Sequence, residues 1–396
     1  MKTGNKPIVT DRSDKKKSTE RPVIMKIKVN REKLLAVFQT AASVVPNRSP
    51  KPILQNVKLE VSNDGATLMA TDMEIGIRLD VPGIEVELAG TAILPVGEFG
   101  SILRESSDEI LKINIVDHST VVQGDRSEFQ LPTENPDEFP NVATFDEEQY
   151  HEVPARLLKE LIKRTVFATD NESSRYALGG VMFEFEATKV TAVGTDGRRL
   201  AKMEGPVQAL GGEQSGERQT IIPTRSVQLI ERAVSEDDAE LQVAARDNDI
   251  IVRSPRATIF SRLVEGRYPK WRDVIPTWQD GKTLDFTAGP LLSAIRQASV
   301  VSREESRGID FTFSEGSLVM SGSTADVGQT RVELPISYDG PPVTLTLDHR
   351  YVAEFLKVLG PEKTFTMQIR DAESAAYCST EDGYGYVIMP LAKNRG

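Results

Sequence analysis

The chain has 396 residues, 39% of them hydrophobic, and a formal net charge of −11. That length excludes one small domain and allows two or three units, each with its own core. A single cysteine, Cys378, excludes a disulfide framework and a cysteine-based zinc site and fits a reducing cytoplasm, while the acidic balance argues against a surface that is basic throughout.

Residues 1–24 place Lys15, Lys16 and Lys17 among Ser, Thr, Asp and Asn, with almost nothing to bury, so a disordered tail is expected. They contain no apolar signal core, and no apolar run in the chain approaches the length of a membrane span. Their seven Lys/Arg and three Asp/Glu leave −15 on the remainder, so contact with an anionic polymer must be local.

From Met25 onward a pattern returns about every 120 to 130 residues, the scale of tandem domains. Apolar alternation marks strands at 53–61, 178–185 and 308–313. A second strand follows each. It ends alike in Ala70-Thr71-Asp72 and Gly194-Thr195-Asp196, and has drifted around Ser323-Thr324. A strand leading into a helix then comes at 92–96, 220–224 and 344–348. The expectation is three homologous α+β units, 25–147, 148–278 and 279–396.

Near its start each unit has a helical segment whose apolar and basic residues separate by angle. At 100° per residue, Leu157, Leu158, Leu161 and Ile162 share one face, with Arg156, Lys159 and Lys163 opposite. Leu291, Leu292, Ile295 and Ala298 repeat this, with Arg296 and Arg303 outward. The first unit is weaker, offering Leu34, Leu35, Phe38 and Ala42 with Arg31 and Lys33 near the helix start. Second helices add Arg104, Arg225, Arg232, Arg350 and Lys357, while 134–148 and 236–240 are acid-rich. If the helices face one concave surface, an acidic protein still holds a basic channel.

No Gly-x-x-x-x-Gly-Lys-Ser/Thr run occurs, and His118, His151 and His349 lack metal-ligand spacing. Asp237-Asp238 and the acidic residues 137–148 read as solvated loops. No catalytic residue, cofactor or metal is expected. From helix charge alone, an acidic adaptor that binds only proteins stays open, as does a nuclease or hydrolase using its carboxylates.

Several runs resemble one family. Met25-Lys26-Ile27-Lys28-Val29, Pro52-Ile53-Leu54 and Ala70-Thr71-Asp72-Met73-Glu74 are similar to the opening of bacterial DNA sliding clamps, the β subunits of DNA polymerase III. Thr195-Asp196-Gly197-Arg198-Arg199-Leu200-Ala201, Leu263-Val264-Glu265-Gly266-Arg267-Tyr268-Pro269 and Tyr386-Val387-Ile388-Met389-Pro390 match that family in order and spacing, so the resemblance spans about 25–391. It implies an α+β DNA clamp fold of three repeated domains, with helices lining a central channel and antiparallel sheets outside. Two chains would pair head to tail as a homodimeric ring.

By that resemblance the chain is a non-enzymatic, cytoplasmic processivity factor that slides on duplex DNA without reading sequence. Its partners would be the polymerase III catalytic subunit, a separate ATP-dependent clamp loader, and other polymerases and repair proteins carrying clamp-binding motifs. No membrane is involved. Helix faces and family loops nominate Arg48, Arg156, Lys159, Lys163, Arg175, Tyr176, Arg225, Arg296, Arg303 and Arg350 for DNA. The family's peptide pocket maps to Leu178, Thr195, Gly197, Arg199, Leu200, Pro269, Val274, Val387, Ile388, Met389 and Pro390. Its dimer interface maps to Arg126, Phe129 and Leu131 on one side and Val300 and Val301 on the other, with Glu304 and Glu305 facing Arg126. Arg198, Asp273 and Glu373 depart from the usual pocket residues and bear on its motif preference.

Overall fold

The computed structural model describes residues 23–117, 119–170, 176–212, 219–235, 239–303, 307–324 and 326–392; the expected tail lies almost wholly outside them. The first unit runs β1 (Val23–Asn30), α1 (Arg31–Ala42), β2 (Asn56–Ser62), β3 (Gly65–Thr71), β4 (Ile75–Asp80), β5 (Ile84–Leu88), β6 (Gly90–Pro95), α2 (Val96–Glu105), β7 (Ile110–Val116), β8 (Ser119–Gln123) and β9 (Glu128–Pro132). The second repeats it as β10 (Tyr150–Pro154), α3 (Ala155–Thr165), β11 (Gly180–Phe185), β12 (Lys189–Thr195), β13 (Arg199–Pro206), β14 (Gln208–Leu210), β15 (Thr220–Pro223), α4 (Thr224–Ala233), β16 (Glu240–Ala245), β17 (Asp249–Arg253) and β18 (Ala257–Arg262). The third drops one short strand: β19 (Lys282–Thr287), α5 (Ala288–Ala298), β20 (Gly308–Ser314), β21 (Ser317–Thr324), β22 (Gly328–Pro335), β23 (Val343–Asp348), α6 (His349–Leu359), β24 (Thr364–Ile369), β25 (Ala376–Ser379) and β26 (Gly385–Ile388).

Local chemistry accounts for the elements. Met25, Ile27 and Val29 alternate into the core from β1, the period of a strand with one face buried. Leu158, Leu161 and Ile162 bury one stripe of α3, with Leu157 half-buried at its margin. The Asn30 and Asp348 side chains accept backbone N–H groups at the starts of α1 and α6. Elsewhere Pro95, Pro154 and Pro223 stand where strand passes directly into helix, having no N–H to leave unpaired. Two expectations need correction: Pro52–Gln55 and Tyr176–Gly179 are 3-10 turns, so the alternating strands begin only at Asn56 and Gly180.

Helices pack in pairs, α1 with α2, α3 with α4 and α5 with α6, and across units α1 touches α4 and α3 touches α6. The sheets are fused between units. A nine-stranded sheet runs β14-β10-β16-β17-β18-β4-β3-β2-β6, and an eight-stranded sheet runs β15-β11-β12-β13-β26-β25-β24-β19. In both, the last strand of one unit pairs antiparallel with the third strand of another unit's four-stranded half: β18 with β4, and β26 with β13. The two sheets left over are β5-β1-β7-β8-β9 and β22-β21-β20-β23. Their edge strands β9 and β22 hold the same two places in the repeat, and neither has a second partner among the described residues. An unpaired edge presents free N–H and C=O groups to another strand.

Candidate nucleic-acid interface and peptide groove

The cations nominated from helix faces emerge in two groups. Arg156, Lys163 and Arg296 are exposed on the sides of α3 and α5 turned away from the sheets, and Arg104, Arg232 and Lys357 join them on the second helices. Arg48 is exposed in the loop after α1. Lys163 also lies 3.8 Å from Glu160, and others have closer partners. Lys159 Nζ donates to Val234 O at 3.2 Å, and Arg303 lies 3.6 Å from Asp326. Arg350 makes two bonds to Asp348, at 3.2 and 2.8 Å. The first unit contributes least, because Arg31 turns inward to the carbonyls of Asp108 and Leu103. Arg175 and the Tyr176 side chain lie outside the described residues.

Arg225 departs most clearly from its expected role. It is the second residue of α4, and its guanidinium donates to Asp72 Oδ2 at 2.6 Å, Ser43 O at 3.2 Å and Val44 O at 2.9 Å. The arginine thus ties the second unit to the carboxyl end of α1, where unpaired carbonyls and the helix dipole favour a cation. Here the guanidinium serves as an interdomain clasp, while its side chain stays 52% exposed.

The pocket residues gather at the other joint, on β12, β13 and β26, just after β26, in the segment after β18 and, for Leu178, in the 3-10 turn before β11. Because side chains alternate across a strand, they divide between two faces. Leu200 and Val387 stand opposite each other in the ladder and share the outer face. There they pack with Met182, Val193, Ile221, Tyr268, Trp271 and Ala375. Tyr268 is fixed by donating to Val193 O at 3.0 Å, and Trp271 Nε1 lies 3.3 Å from Glu184 Oε1. Met389 and Val274 are both 41% exposed at this joint, and Arg198, Asp273, Glu373 and Pro269 are exposed as well. Thr195 braces the turn by donating to Arg199 O at 2.6 Å and accepting from Gly197 N at 3.1 Å. Gly197 itself has φ +85°, a conformation glycine adopts without strain.

Two nominated residues are corrected. Ile388 belongs to the helix-side core, and Arg199, 8% exposed, also turns inward. Its guanidinium donates to Asp196 at 3.0 Å, to Phe167 O at 2.6 Å and to Glu354 of α6, and it lies 4.3 Å from the centre of the Tyr351 ring. Arg199 therefore clasps the second unit to the third and adds no wall to the outer groove. The motif match could not show this, because adjacent residues on a strand serve opposite faces.

Repetition supplies an internal control. At the joint of the first and second units, the ladder row equivalent to Leu200, Val387 and Tyr377 is Gly76, Phe260 and Ile251. Met389 N donates to Arg198 O as Arg262 N donates to Glu74 O, both at 2.9 Å. There the row is covered by the chain's own linker. A Cβ at Gly76 would come within 3.0 Å of Val142, and Phe145 packs on Ala244 and Ile251. Arg262 and Glu74 stand 3.6 Å apart as an ion pair where the other joint has Met389 and Arg198. At the other joint Leu200 and Val387 are buried as well, beneath Tyr268 and Trp271, but Val274 and Met389 remain exposed beside them.

The residues nominated for the dimer interface lie on or just before β9 and, on the other side, in the turn beside β22. Phe129 and Leu131 are on β9, exposed and half-buried, with Arg126 just before it. Val300, 75% exposed, and Val301 follow α5. Glu304 and Glu305 lie outside the described residues. A cleft of about 420 Å³ opens in the first unit between the end of α1 and the start of α2, lined among others by Val45, Pro95, Val96 and Gly97. No motif or periodicity in the chain marks this cleft.

Comparison with known proteins agrees with this geometry. Family models of the DNA polymerase III beta subunit match in order: the N-terminal domain over 25–143, the central domain over 152–270 and the C-terminal domain over 272–392. Beta sliding clamps of Haemophilus influenzae and Escherichia coli K12 are each 28% identical, covering 93% of this chain and all of theirs. A Pseudomonas aeruginosa sliding clamp solved with griselimycin superposes with a TM-score of 0.85 at 26% identity, over 93% of this chain and 99% of that one. A Bacillus subtilis clamp gives 0.84 at 23% identity, over the same shares of the two chains, which speaks for the fold alone. Three consecutive domain matches, relatives aligned end to end and the fused three-unit fold place this chain in the family of bacterial beta sliding clamps, the beta subunits of DNA polymerase III.

Proposed function

We propose that the chain is a DNA polymerase processivity factor that acts as a ring around duplex DNA, and that it catalyses no reaction itself. The observation that carries this is the pair of open edges. β9 and β22 occupy the places that β18 and β26, and β4 and β13, fill inside the chain. Two chains set head to tail satisfy both edges and close a ring of six units.

Arg156, Lys163, Arg296 and the exposed cations of the second helices would face the duplex. Contacts from Lys and Arg to phosphate carry no sequence information and exchange readily, so such a ring holds by topology and still slides. Arg48 would reach it from the loop after α1, and Lys159, Arg303 and Arg350 would serve only where phosphate displaces their present partners. The groove around Leu200, Val387, Val274 and Met389 would take an apolar peptide anchor from the polymerase III catalytic subunit or from repair proteins. Apolar burial stabilises such an anchor by about 25 cal/mol per Å². A separate ATP-dependent loader would open the ring, and the setting would be the cytoplasm.

Loading onto nicked circular DNA tests the reading. Retention that is lost when the circle is linearised supports encirclement, whereas equal retention on both forms refutes it. The adaptor alternative expects no retention on either.

A further inference from the structure

Resting on the ring reading, a comparison of the internal joint with the open one identifies how two copies meet. Ser43 and Val44 follow Asn30 by the same number of residues as Val300 and Val301 follow Thr287, and each count starts from the residue before a unit's first helix. Gly97 and Arg225 are likewise each the second residue of a second helix. At the joint of the first and second units, Arg225 reaches the carbonyls of Ser43 and Val44 and pairs with Asp72, whereas at the joint of the second and third units Arg350, in the same place, turns back to Asp348. At the subunit joint the same places hold Gly97 and, from the partner, Val300 and Val301. Long and small at one joint become small and large at the other.

We propose that the subunit joint replaces the arginine clasp with an apolar contact, in which the partner's Val300 packs against the start of α2 at Gly97. Three further observations agree. Val300 is the most exposed large apolar residue described, at 75%. Space is free around Gly97, which lies on the wall of the 420 Å³ cleft. The Val301 carbonyl already accepts from Thr324 Oγ1 at 2.7 Å in its own chain, so it does not await an arginine. Carrying the β18 to β4 ladder over to β9 and β22 also fixes the register: Glu128 stands opposite the partner's Arg331, and Phe129 opposite the partner's Thr330. Opposite charges in a cross-strand pair favour that alignment.

A double-mutant cycle on the full chain tests the contact, with dimer dissociation measured by sedimentation equilibrium at low and high salt. Val300→Ser should weaken the dimer by about tenfold at each joint, or about a hundredfold for a ring with two joints. Gly97→Arg should weaken it strongly when Val300 is intact and much less in the presence of Val300→Ser, where the smaller side chain leaves room for the guanidinium. Open space at Gly97 and its ordinary helical backbone keep the arginine variant compatible with folding, which a thermal melt checks. An identical effect of Gly97→Arg in both backgrounds overturns the contact while leaving the ring intact. An unmutated chain that stays monomeric at every concentration overturns the ring reading, and this inference with it.

Discussion

Arg199 offers the sharpest separation between a structural and a ligand-binding role. Replacement by alanine removes donors to Asp196, Glu354 and Phe167 O and the contact with the Tyr351 ring. Breaking a buried ion pair costs about 3 to 5 kcal/mol. Asp196 is almost enclosed, but the Glu354 side chain is 40% exposed and regains water, which favours the lower end. Loss of the cation over the ring adds about 0.5 to 1 kcal/mol, so Arg199→Ala should lower stability by about 3 to 4 kcal/mol. The loss should be felt first where β13 meets β26. Amide exchange at residues 199–202 and 385–388 should accelerate ahead of the rest of the chain. An apolar clamp-binding peptide, titrated calorimetrically below the melting range, should lose less than about fivefold in affinity, about 1 kcal/mol, since Arg199 is buried on the face of β13 turned away from the groove. A fall beyond tenfold in affinity with unchanged exchange would refute the reasoning and return Arg199 to the groove.

Met389→Ala combined with Val274→Ala should weaken peptide binding by about tenfold or more while lowering the melting temperature by only a few degrees, because both side chains are already 41% exposed. Reversing Arg156, Lys163 and Arg296 to glutamate should reduce loader-dependent retention on nicked circles and flatten its salt dependence; unchanged retention would dismiss the channel assignment. Burial pulls the His151 imidazole below its ordinary value of 6.5, so the unfolded chain takes up the proton more readily. Stability from this residue is therefore full above about pH 6.5 and lost as pH falls below it, and His151→Leu should remove part of the decline in melting temperature between pH 7 and pH 5.5.

Repeat period, helix faces and the three-unit fold were legible in the sequence because each depends on spacing, which folding preserves. The strand starts at 53 and 178 were misplaced since alternation of apolar residues continues through a 3-10 turn that a window of side chains does not distinguish. Site residues were legible by location but not by direction. Leu200 and Arg199 share a motif and are neighbours, yet one meets Trp271 and the other Glu354, because the pleat sends them apart. Arg225 was read as a phosphate ligand because a basic residue at a helix start looks the same whether its acceptor is DNA or the end of another helix 181 residues away. The difference between the two joints was hidden too: Phe145 and Val274 follow similar Phe-Pro and Tyr-Pro dipeptides, and only the packing tells that one is buried and one is not.

Fusion of the sheets across units has a mechanical consequence. Force on one unit passes to the next through backbone hydrogen bonds of the β18 to β4 and β26 to β13 ladders, not through a flexible tether. Excising the middle unit would bare two edges at once, β4 and β26, so the repeats, though modular in descent, bear load as a continuous wall.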